Sequence, residues 1–234
     1  MTIRHGHLRR WTIGAAAFSL ALVLLSAVAF LTIRDGSWND LFTWLYIGSE
    51  LSLPAYWNAA LLALVGVAAA LHAVVADDAR LTRGWTVVAV VGLLLSVDEA
   101  TRVHERTAWL VSANPLPTFA WVLVGAPLAL LLVAVLWIAV RPVPAPLKRG
   151  LAFALGLYIL GALGFEALSG FWLREEATTV SMLFESVEEL LEMTACVLAI
   201  HLLMRPLLPL RIVSRGSAAE GRLPVGSAYR WGED

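Results

Sequence analysis

The sequence predicts an all-α integral membrane protein: a six-transmembrane-helix bundle with a short outer interfacial helix and a disordered cytoplasmic tail. Three observations predict it. Hydrophobic residues make up 59% of the 234 and the mean hydropathy is +0.77, too apolar for an ordinary soluble domain. Apolar windows of about 20 residues, each long enough to cross a bilayer, recur six times along the chain. Lys and Arg concentrate in alternate connections, as they do on the cytoplasmic side of multi-pass proteins.

The six spans fall near 11–33, 53–76, 85–111, 118–140, 150–173 and 178–204. They form one transmembrane domain, 11–204, between a cytoplasmic amino-terminal tail (1–10) and a carboxy-terminal tail (205–234). The first run reads as a span and not a cleavable signal peptide, because no clear small-residue cleavage motif follows it. The tails and the second-to-third and fourth-to-fifth loops carry 13 Lys and Arg; only Arg34, Arg102, Arg106 and Arg174 belong to the other side. That asymmetry places both termini in the cytoplasm and the protein in a cell (inner) membrane.

Between the first two spans, the aromatic stretch from Ser37 to Tyr46 has few charges and reads as the outer interfacial helix, a belt holding the protein at its depth. Arg141-Pro142-Val143-Pro144-Ala145-Pro146 reads as a stiff extended linker. Past Met204 the chain is rich in Pro, Gly, Ser and Arg and reads as disordered.

The last span carries the feature that points to chemistry. At about 100° per residue, Glu185, Glu188, Glu189 and Glu192 share one face. A carboxylate deep in a bilayer costs several kcal/mol unless it is protonated, paired or bound to a cation. Span three contributes Asp98, Arg102 and Glu105 at i, i+4 and i+7, with Glu99 and Arg106 on their flanks; His104 points away from Asp98 in a continuous helix. Span five adds Glu166, with no basic neighbour in its own span. At about 1.5 Å per residue, all three groups reach overlapping depths in the outer half of the membrane.

The charges at that depth do not balance. Asp98, Glu99, Glu105, Glu166, Glu185, Glu188, Glu189 and Glu192 face Arg102 and Arg106. Something positive must join them, and carboxylates on facing helices are the ingredients of a divalent metal site. The expected ligands are Asp98, Glu105, Glu166, Glu185, Glu188, Glu189 and Glu192. His104 is the expected proton carrier, and Arg102 orients an anionic group. Oxygen donors suit iron, manganese, magnesium or calcium, and the histidine admits zinc. Glu99 with Arg106 reads as a structural pair.

Other signatures are absent. There is no Glu-x-x-His or His-Glu-x-x-His, and one cysteine, Cys196, excludes a cysteine-based cluster within one chain. A net charge of -1 offers no field for nucleic acid. The first functional expectation is a metal-dependent membrane enzyme, a hydrolase or oxidoreductase, acting on a lipid or small apolar substrate. The alternatives are a cation- or proton-coupled transporter, and a non-catalytic subunit held by a homo-oligomeric or membrane-complex partner. Against transport stands the absence of any Gly or Pro break in spans three and six.

Overall fold

A computed structural model describes residues 5–32, 39–49, 52–106 and 118–208, apart from the side chains of His5, Asn39 and Glu105. The fold is all-helical, with no strand among the described residues. The helices are α1 (His5–Thr32), α2 (Asn39–Leu45), α3 (Leu53–Val75), α4 (Ala79–Thr101), α5 (Val103–Arg106), α6 (Val122–Ala139), α7 (Ala145–Ile159), α8 (Glu166–Arg174) and α9 (Thr178–Met204). A π turn, Leu160–Phe165, joins α7 to α8, so six helical stretches are long and apolar enough to cross a membrane.

Several boundaries differ from the sequence reading, each for a local reason. The first helix begins at His5, inside the stretch expected to be a tail. The proline linker is not extended. The chain turns through Arg141 and Val143, whose N–H groups donate to Ile138 O and Val140 O. Helix α7 then starts at Ala145, with Pro146 in its first turn, where a missing N–H costs nothing. Of the tail, only the 3₁₀ turn Arg205–Leu207 and Leu208 are described; the disorder expected beyond lies outside the described residues.

The largest difference is in the third span. Helix α4 starts before the expected 85 and stops at Thr101 instead of running to 111. Arg102 adopts a left-handed conformation, φ 48°, and its N–H caps Asp98 O. A non-glycine residue there costs roughly 1–2 kcal/mol. The Asp98 side chain offsets that strain: Oδ1 accepts the His104 N–H at 3.0 Å and Oδ2 meets His104 Nδ1 at 2.8 Å. A short acceptor that offers the backbone an alternative bond can end a helix without Gly or Pro.

Helix α9 is the hub, packed against α1, α3, α7, α8 and the π turn. Met193, Cys196, Val197 and Ile200 bury their side chains with Leu61 and Leu62 of α3. Helices α3 and α4 cross closely because Gly66 and Gly92 meet: a Cβ on Gly92 would lie 3.0 Å from the Gly66 backbone. Away from the acids, His72 bonds Leu203 O at 2.8 Å and stacks on Trp85, and His201 meets Thr12 at 2.8 Å. Both histidines serve packing.

Candidate metal centre

Helix α9 presents its acids at the 3–4-residue spacing that keeps them on one face. Helix α3 supplies Asn58 one turn inside a start fixed by Ser52, whose Oγ accepts the Ala55 N–H. Helix α4 brings Glu99 up to the point where it ends. Glu99, Glu189 and Glu192 each place one carboxylate oxygen within 4.8 Å of the others. The Asn58 amide sits among them. Its Nδ2 donates to Glu192 at 2.8 Å, to Glu99 at 3.3 Å and, more weakly, to Glu189 at 3.5 Å. Asn58 is fully buried, and its Oδ1 finds no donor among the described residues.

That orphaned oxygen is informative. A buried unsatisfied acceptor costs about 1–3 kcal/mol. A half-turn of the carboxamide exchanges Oδ1 and Nδ2 with almost no change in shape. Turned that way, the group offers a fourth oxygen to the three carboxylates. Around an octahedral cation with bonds of about 2.1 Å, neighbouring oxygens lie roughly 3 Å apart and opposite ones roughly 4.2 Å. The spacings found here are compatible with those.

Of the other predicted residues, Asp98, Arg102, His104, Glu166, Glu185 and Glu188 line the same cavity, of about 640 Å³, which also receives Glu99, Glu189 and Glu192. Glu185 takes the Tyr46 hydroxyl at 2.6 Å and the Ser181 hydroxyl at 3.2 Å, and is thereby held from both sides. The stretch read as an aromatic belt therefore also reaches the acids. Glu166 accepts Trp121 Nε1–H at 3.0 Å and lies within hydrogen-bonding reach of Glu188. Close approach here depends on Gly161 of the π turn, where a Cβ would sit 2.9 Å from Glu188 O and 3.0 Å from Glu192 Cγ.

His104 does not point away from Asp98. The break at Arg102 turns it back, so the two form a hydrogen-bonded dyad whose ring lies edge-on to Trp121, centroids 4.6 Å apart. The continuous face of Asp98, Arg102 and Glu105 does not exist, because the helix ends between them. Arg102 Nη2 reaches Ser49 O at 3.4 Å, and its charge acts on both Glu99 and Glu189. The Glu105 side chain lies outside the described residues. The sequence reading missed two residues, Glu99 and Asn58. The sequence pairs Glu99 with Arg106, whereas its place in a Ser-Val-acid-acid run matching that of Glu189 is the signal that points to the cluster. Nothing in the sequence marked Asn58 beyond a polar amide in an apolar helix.

The chain belongs to the family described as "Domain of unknown function (DUF8692)", which matches residues 13–207. No curated protein and no solved structure matches it.

Proposed function

From a family whose description carries no activity, we propose that this chain is a six-span membrane protein with a divalent cation held by Glu99, Glu189, Glu192 and Asn58 Oδ1. Both termini face the cytoplasm, α2 lies along the outer interface, and the centre acts as a metal-dependent enzyme on a lipid or apolar substrate. The observation that carries this reading is the buried Asn58 amide: it sits at the meeting point of three carboxylates with its oxygen unmatched.

The donor set is all oxygen, which favours magnesium, manganese, calcium or ferrous iron. Zinc loses its support, since His104 is engaged with Asp98 and lies outside the triad. A cation here acts as a Lewis acid on an oxygenated head group or activates a water. The Asp98–His104 dyad holds and moves protons, Asp98 fixing the ring and its tautomer. Arg102 offers positive charge to an anionic group. Asp98, Glu166, Glu185 and Glu188 surround the cation without being its direct ligands.

Elemental analysis of the purified protein tests this directly. About one equivalent of a hard divalent cation per chain is expected. It falls to background in Glu189→Gln/Glu192→Gln and in Asn58→Leu, and persists in Asn58→Asp, which keeps an oxygen donor. Equal metal in all four proteins would dispose of the centre. Removing the cation with a chelator lowers the unfolding temperature, because a ligand at about 100 times its Kd stabilises by about 2.7 kcal/mol.

A second reading, cation- or proton-coupled transport, gains from two interruptions that the sequence did not announce. The left-handed Arg102 ends α4 beside Glu99, and the π turn immediately precedes Glu166. Interrupted helices at mid-membrane acids are a feature of ion-coupled transporters. Ion or proton flux in proteoliposomes that is abolished by Glu166→Gln favours transport; flux at the level of empty vesicles removes it.

A further inference from the structure

The cavity that holds the acids continues past them. Beyond the acids of α9 its walls are α4, α6 and α7, each lining it with one face repeated over about three turns. In α6 the lining face repeats at 125, 128, 132 and 136, in α7 and the π turn at 155, 159 and 162, and in α4 at 91, 95 and 98. Spacings of three and four residues mark a face that a bundle helix ordinarily presses against a neighbour. Here the three faces enclose space.

That space is sorted by polarity. Asp98, Glu99 and Arg102 stand at the end of α4, and Glu166 beyond the end of α7, where α6 begins beside Trp121. Moving away from them, three walls turn largely apolar: Leu95 and Val91 on α4, Leu128 and Leu132 on α6, Ile159 and Leu155 on α7, with Tyr158 the polar group among them. From Gly125 to Leu136 the apolar part runs eleven residues, roughly 16 Å at the helical rise. A volume of about 640 Å³ is within the ordinary range for a small-ligand site. Helix α6 itself is the least embedded of the six: only 6% of its apolar window is buried, so the outer wall of the cavity is a single helix with lipid-compatible residues behind it.

We propose that this cleft binds a single-chain amphiphile drawn from the bilayer. Its long alkyl or prenyl chain lies between α4, α6 and α7, and its oxygen-bearing head, a hydroxyl, ester or phosphate, lies against the carboxylate centre and Arg102. The proposal rests on the metal-centre reading for what the head meets, and names the substrate class of that site. An apolar slot between three helices suits an alkyl chain, and the polar end fixes which way round it lies. A charge-rich end with Arg102 and a cation favours oxygen donors over a bare hydrocarbon terminus.

Photolabelling of the purified full chain tests it, with a diazirine-bearing long-chain fatty alcohol as the probe. The expected result is labelling on α4, α6 and α7 near Leu95, Leu132 and Ile159, several-fold above that on the lipid-facing α1 residues Leu20 and Leu24. Excess hexadecanol displaces it, and Leu132→Trp, which fills the slot, removes it. Labelling spread evenly over α1 and α6, or unmoved by excess hexadecanol, overturns the proposal without any variant having to fold. The two readings fail separately. Metal-loaded protein with even labelling refutes only the amphiphile site, and metal-free protein with selective, displaceable labelling refutes only the metal centre.

Discussion

Helices α9 and α6 invert the usual relation between polarity and burial. Helix α6 is the most apolar of the six, with a mean hydropathy of 2.7, yet only 6% of its apolar window is buried. Helix α9 reaches only 1.5 and carries four glutamates, yet half of its window is buried and it packs against α1, α3, α7 and α8. In water this order would be wrong. In the proposed bilayer it is the expected one, because lipid accepts leucine as readily as a protein core does and rejects carboxylates. The polar helix goes to the centre, where Asn58 and Tyr46 from other elements can meet its acids, and the apolar one goes to the edge.

That contrast can be broken from either side. The largest effect is expected from Met193→Ala in α9, whose side chain is wholly buried in the core shared with α3. Emptying that volume costs about 2–5 kcal/mol, read as a fall in unfolding temperature in detergent. Gly161→Ala comes next. Its new methyl would stand 2.9 Å from Glu188 O, a backbone atom that cannot swing aside, so α7 and α9 must part at a cost of about 1–3 kcal/mol. The same variant is expected to weaken metal retention, since Glu192 Cγ is the second atom it meets at 3.0 Å. The smallest effect belongs to Leu130→Ala on the outer face of α6, 73% exposed, which should change stability by less than about 0.5 kcal/mol. A large loss there would mean that α6 is covered by a partner, and would favour the subunit reading over the enzyme.

Much of this was legible in the sequence. Six apolar windows gave six helices, because length and continuous apolarity are local properties and need no partner to be recognised. The stripe of Glu185, Glu188, Glu189 and Glu192 on one face follows from helical periodicity alone. The break at Arg102 was not legible, since it depends on the Asp98 side chain capturing both the backbone and ring of His104. From that one missed turn came the wrong face for His104 and the false alignment of Asp98 with Glu105. The grouping of Glu99 with Glu189 and Glu192, in place of Arg106, has a different cause: proximity across helices is invisible to spacing along one of them.

The sequence by itself determined that there are six apolar helical stretches, the face on which the last one carries its acids, and the shortage of cations to answer them. Tertiary structure decided which of those acids share an oxygen-to-oxygen distance, and that a buried amide from α3 stands among them. It also decided that a polar-to-apolar cavity opens beneath α6. The physical reason is that periodicity and hydropathy are summed along the chain. A binding centre is a coincidence in space between residues 41 and 134 positions apart, as Asn58 is from Glu99 and Glu192, and only packing brings such residues together.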